Sequence, residues 1–233
     1  MRIKSILTAG LALIAVTLAA TPPTYADDFL WLGLNPSGGW TDQSNWLNLD
    51  DPFLGGYPNG SDDNAFITIP GRVEIRPVPA TGGCTSPIIV CNLNVNNGDL
   101  RVPTCLTVGC KLTIKPNASL SINGGTLVLT GDDVNHEIGG DLNLTVASST
   151  LRIEGDATFD PFTQGGQDPV YGNVKGQHNY AAIEICKGKA LTNNITIHGQ
   201  MTIQSATCET TAGGGPAGQQ HRSSAQPSGP QQQ

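Results

Sequence analysis

The stretch whose side chains could carry acid–base chemistry is Gly131-Asp132-Asp133-Val134-Asn135-His136-Glu137. Clustered carboxylates beside an imidazole could move protons, and the carboxylates could hold calcium. Asp132, Asp133, His136 and Glu137 are therefore the candidate ligand-binding residues. The competing expectation is a solvated corner, because the cluster falls in a break between two hydrophobic steps. Asp50-Asp51 and Asp62-Asp63 are similar pairs in turn-like surroundings. The chain contains no nucleophile elbow, P-loop or dinucleotide fingerprint, so no catalytic residue and no cofactor is expected.

The elements that must position these residues are short and regular. From Leu93 to Phe159 the chain is a ladder of apolar-x-apolar steps: Leu93-x-Val95, Leu100-x-Val102, Leu106-x-Val108, Leu112-x-Ile114, Leu120-x-Ile122, Leu127-x-Leu129, Leu142-x-Leu144, Leu151-x-Ile153 and Ala157-x-Phe159. Each step has the alternation of a half-buried strand, and Gly, Asn, Asp or Pro separates one from the next. Three steps occupy about twenty residues, a repeat length typical of stacked coils. The pattern predicts an all-β chain: a parallel β-solenoid (β-helix), right-handed, with three strands per coil. An antiparallel β-sandwich is the alternative, although its turn signals usually come every 8–12 residues. The ladder is broken by a loop insertion at 160–180 and resumes at Ile183-x-Ile185, Ile195-x-Ile197 and Met201-x-Ile203. The coils are thus expected over 71–207, with a Gly/Pro/Gln/Ser-rich disordered tail at 208–233.

Six cysteines, Cys84, Cys91, Cys105, Cys110, Cys186 and Cys208, favour disulfides in an oxidising compartment. In a coil, residues one turn apart lie near the inter-strand spacing of about 4.8 Å, within disulfide reach. Cys84 to Cys105, Cys91 to Cys110 and Cys186 to Cys208 are separated by 21, 19 and 22 residues, so each pair would join adjacent coils. Local pairs, Cys84–Cys91 and Cys105–Cys110, remain the alternative for the first four. No metal site is expected, because neither the cysteines nor the four histidines have the paired spacing that zinc requires.

Residues 1–26 read as a signal peptide: Arg2 and Lys4, an apolar run from Ile6 to Ala20, then Thr24-Tyr25-Ala26 at the cleavage site. The expected destination is extracellular or the cell surface, with no membrane insertion after cleavage. Without Arg2 and Lys4, 10 basic residues face 19 acidic ones, a net charge of −9. No Lys/Arg cluster offsets that charge, so nucleic acid is not an expected partner.

Residues 27–70 hold all three tryptophans, in Trp31-Leu32-Gly33, Gly38-Gly39-Trp40 and Asn45-Trp46, followed by Pro58-Asn-Gly-Ser-Asp62-Asp63-Asn-Ala65-Phe66-Ile67-Thr-Ile69. This arrangement resembles the opening, capping module of secreted bacterial β-solenoid and autotransporter-passenger-like proteins. The resemblance covers about forty residues and implies an exported repeat protein with a structural or display role. Covering the first coil is the role expected for the tryptophans, since an open end exposes core side chains. Stacking on sugar rings is the other use of clustered Trp. Gly131-Asp132-Asp133 resembles one motif of the polygalacturonases, but their Asn-Thr-Asp and Gly-His-Gly motifs are absent, as is Arg-x-Lys after the signal. The functional expectation is a non-catalytic extracellular β-solenoid, with an extracellular glycan or cell-surface component as the partner. A polysaccharide-binding or polysaccharide-cleaving protein is the alternative.

Overall fold

The computed structural model describes residues 26–34, 38–53, 55–75 and 87–208. The expected signal peptide lies almost wholly outside them, as do Cys84 and all of the expected tail but Cys208. The described chain is nearly all β. In order the strands are β1 (Asp28–Trp31), β2 (Trp46–Asn48), β3 (Asn64–Ile67), β4 (Arg72–Glu74), β5 (Ile88–Val90) and β6 (Asn92–Val95). They continue with β7 (Gly98–Val102), β8 (Cys105–Val108), β9 (Leu112–Ile114), β10 (Ala118–Ile122), β11 (Thr126–Leu129) and β12 (Val134–Ile138). The last six are β13 (Asp141–Leu144), β14 (Thr150–Ile153), β15 (Ala157–Asp160), β16 (Asn173–Cys186), β17 (Leu191–Asn193) and β18 (Thr196–Ala206). The regular exception is a single 3-10 turn, Gln43–Asn45, started by Asp42 accepting from the Ser44 N–H.

Pairing is parallel throughout the ladder, and a strand there pairs with the one three places along the chain. β6 pairs β9, β9 pairs β12, and β12 pairs β15 in one sheet. β7–β10–β13 and β8–β11–β14 do the same in the other. Leu100, Leu120, Leu142 and Val174 therefore lie in one column, and Leu106, Leu127, Leu151 and Ile183 in a second. Ile67, Val95, Ile114 and Ile138 make a third. All twelve are fully buried, each contributing about 1.5–3 kcal/mol relative to exposure. The period-two alternation causes this: one residue of each step faces the core and the next faces out.

The outward residues are joined by a ladder of their own. The Asn64 side-chain amide donates to Asp28 Oδ1, and that of Asn92 to Asn64 Oδ1, both at 2.7 Å. Parallel registry places like residues above one another, so each polar side chain finds its partner one layer away.

The chain leaves the ladder after Asp160, pairs Phe162 with Val170 in an antiparallel bridge, and re-enters as β16 at Asn173. β16 then runs 14 residues without a break, its first part on β13 and its last part on β14. The strand thus begins inside the stretch read as a loop. Val174, fully buried above Leu142, stands alone among Asn, Lys and Gly, which is why no apolar step is visible there.

Before the ladder, β1 pairs with β3 in parallel and with β2 antiparallel. Trp31, Trp40 and Trp46 are buried together, with ring centroids 5.0 Å (Trp31–Trp46) and 4.7 Å (Trp40–Trp46) apart in edge-to-face geometry. Both buried indole N–H groups of the second and third are satisfied, Trp40 by the Pro58 carbonyl at 3.0 Å and Trp46 by the Trp40 carbonyl at 2.6 Å. Rings buried on this scale are not free to stack on a sugar.

Candidate functional site

The four residues singled out for chemistry fall in three environments. Asp132 and Asp133 form the turn before β12 and are exposed; Asp133 has a positive φ of 55°. β12 then alternates, so His136 faces the core and Glu137 the outside. Glu137 makes an ion pair with Lys111 at 2.8 Å across the face of the sheet.

His136 is fully buried, edge-on to Phe159 at 5.9 Å between ring centroids. Its Nδ1 accepts the backbone N–H of Leu112 at 3.0 Å, which assigns the proton to Nε2. Nε2 has no hydrogen-bond partner among the described residues. Burial, with a smaller push from the Lys111 charge, lowers its pKa to about 4. This imidazole is a neutral core residue on the face of β12 opposite Glu137.

Asp132 has other neighbours, contributed by later layers. Its Oδ1 accepts from the Lys189 ammonium and from the backbone N–H of Asp156. Asp156 in turn accepts the Ala190 N–H at 2.8 Å. Lys189 and the Asp156 N–H together hold the Asp132 carboxyl below the usual carboxylate range. Asp132 raises the Lys189 pKa, helped by Asp156 and Asp133. Both groups are driven further into their charged forms near neutral pH. A general acid or base needs the opposite, a pKa brought towards the working pH.

These partners were not singled out from the sequence, although a signal exists. Gly131-Asp132 and Gly155-Asp156 are separated by 24 residues, one layer, and Gly188-Lys189 follows at the same corner. Gly131 and Gly155 are needed because these corners stack tightly, a Cβ at Gly155 colliding with the Gly131 carbonyl, whereas Gly188 stands in open space with a positive φ.

A second polar network lies outside β7, β10 and β13. Asp99 accepts from Arg101 at 2.9 Å, Ser119 at 2.8 Å and Ser121 at 3.1 Å. Burial pushes this carboxyl up, but those hydrogen bonds and the Arg101 charge bring it below its ordinary value overall. Asp141, one layer beyond Ser119, accepts from Asn173 and Lys175, each at 3.1 Å.

Two of the expected disulfides are present, Cys91–Cys110 and Cys186–Cys208, with Cα separations of 4.6 and 5.4 Å. Cys105 is also disulfide-bonded; the pairing expected for it involves Cys84, outside the described residues. Glu154, Cys186 and Cys208 bring potential metal-ligand atoms within 4.8 Å of one another. The two sulfurs are bonded to each other, so neither is the thiolate that a metal binds. The disulfides fit an oxidising, extracellular environment, and no helix among the described residues is long and apolar enough to cross a membrane.

Comparison with protein-family models, curated proteins and solved structures finds no match.

Proposed function

We propose that this chain is an exported, non-catalytic β-solenoid with a structural or display role at or beyond the cell surface. Three strands make one right-handed coil, and the tryptophan-rich segment covers its first turn. The parallel pairing of each ladder strand with the third one on supports a coil over an antiparallel sandwich. Right-handedness follows the strong preference of parallel crossover connections. Export rests on the features of residues 1–26 and on the disulfides. The bacterial setting rests on the tryptophan-rich resemblance alone.

The observation that carries the non-catalytic reading is the state of the candidate acid–base residues. His136 is buried and neutral, Glu137 is paired outward with Lys111, and Asp132 is ion-paired with Lys189. The chemistry-bearing side chains hold neighbouring layers together.

A glycan partner remains the second reading, favoured by the outward Asp99–Ser119–Asp141 face and by Tyr171 and Tyr180, 63% and 73% exposed. The test is a panel of acidic and neutral polysaccharides, scored for binding and for release of new reducing ends. The proposal expects no release from any of them. Release that is lost in Asp132→Asn would replace it with a cleaving enzyme.

A further inference from the structure

The two ends of the strand stack are finished differently. At the first end, β2 turns back antiparallel on β1, and the edge of β4 is covered by residues 38–40: the Glu74 N–H donates to the Gly38 carbonyl and the Trp40 N–H to the Glu74 carbonyl. At the other end, β17 pairs only with β15 and β18 only with β16 among the described strands. Among the described residues, none covers the apolar side chains of the last layer. Ile203 is 56% exposed, while Leu191, Ile195, Ile197 and Met201 are half-buried.

An exposed edge of eleven residues is ordinarily blunted by charge, proline or a bulge. β18, Thr196-Ile-His-Gly-Gln-Met-Thr-Ile-Gln-Ser-Ala206, contains no Lys, Arg, Asp, Glu or Pro, and the irregularity in its pairing falls opposite Met201 with the extra residues on β16, between Gln177 and Ala182. Its odd-numbered residues 197, 201 and 203 are apolar and its even-numbered ones are all polar except Ala206.

We infer that the β18 edge is a self-association surface, and that its occupant is the β18 of a second copy of this chain in antiparallel register. The pattern is self-complementary. Full overlap of Thr196–Ala206 with itself centres on Met201, pairing Ile197 with Ser205 and Gly199 with Ile203 of the other copy. Odd positions meet odd positions, so every core-facing side chain stays on the core side. A two-fold axis through Met201 reverses the strand and the stack while keeping inward residues inward, and the two open cores meet. An uncharged edge suits a like partner, since opposed like charges would destabilise the pair. A two-fold pairing of β18 with β18 uses up the same edge on both copies, so the association closes at two. The Cys186–Cys208 disulfide ties the chain just beyond β18 to the layer beneath.

Sedimentation equilibrium on residues 27–233, disulfides intact, tests this over a hundredfold range of concentration. A monomer–dimer equilibrium is expected, with no larger species. Ile203→Lys, whose side chain is more than half exposed, should weaken the dimer at least tenfold while leaving the circular dichroism spectrum unchanged. Met201→Cys should form a covalent dimer under mild oxidation, because each introduced thiol faces its own copy. Thr202→Cys, on the opposite face, should not. A chain that stays monomeric throughout, a dimer indifferent to a folded Ile203→Lys, or open-ended oligomers would each overturn the inference. If Ile203→Lys fails to fold, the contrast between Met201→Cys and Thr202→Cys decides.

Discussion

His136 is the residue whose type is most misleading. An imidazole among carboxylates suggests proton transfer, yet this one fills a core position and accepts a backbone N–H. Its folded pKa, about 4, lies below the ordinary value of 6.5. The unfolded chain therefore binds the proton more readily between those values. The histidine's contribution to stability is fully present above pH 6.5 and is lost as pH falls towards 4. The shift corresponds to about 3 kcal/mol at most. Urea denaturation of the wild type should show this loss between pH 7 and 4. In His136→Leu that part of the slope should vanish, with a cost of ~1–3 kcal/mol at pH 7 from the unpaired Leu112 N–H. An unchanged slope would assign the acid sensitivity elsewhere.

At the scale of elements, the tryptophan-rich segment and the disulfides make separate claims. Trp40 is fully buried and donates to Pro58. Truncating such a side chain costs about 3–5 kcal/mol, which is a fall in Tm of roughly 6–20 °C for a chain this long. Thermal melts of Trp40→Ala should show it. Intact stability together with lost polysaccharide binding would instead make the tryptophans a sugar site. The disulfides are tested by non-reducing peptide mapping. Cleavage at Asp99–Arg101 separates Cys91 from Cys110, and the two fragments should stay joined until reductant is added. Closing a loop of that size stabilises the fold by about 3 kcal/mol, so Cys91→Ala/Cys110→Ala should unfold at correspondingly lower denaturant.

In the coiled arrangement proposed above, stability is shared between neighbouring layers across the whole molecule. Middle layers have neighbours on both sides and last layers on one. In monomeric Ile203→Lys, hydrogen exchange should be slowest across β9, β10 and β13 and fastest across β18. In the wild type, protection of β18 should rise with protein concentration. Uniform protection along the stack would mean that the molecule opens as one cooperative unit.

The apolar-x-apolar alternation determined which residues enter the core: Leu100, Leu120 and Leu142 can be picked out without coordinates and are all buried. The cysteine separations of 19 and 22 residues fitted one repeat of chain and so pointed to the two observed bridges, but the structure was needed to choose Cys91–Cys110 over the local pair Cys105–Cys110. β12 could not be read, because its residues fall in a break between hydrophobic steps; once the strand is known, period two turns His136 and Glu137 opposite ways despite their adjacency. Where β16 starts could not be read, since Asn173–Gly176 owes its strand form to β13 beneath it and carries a single apolar residue. The partners of Asp132 were likewise decided by tertiary structure alone. Lys189 lies 57 residues away, and only the stacking of corners brings its ammonium to that carboxylate. Alternation is a local property that each strand carries in its own residues, whereas registry between layers depends on how much chain the intervening corners take up.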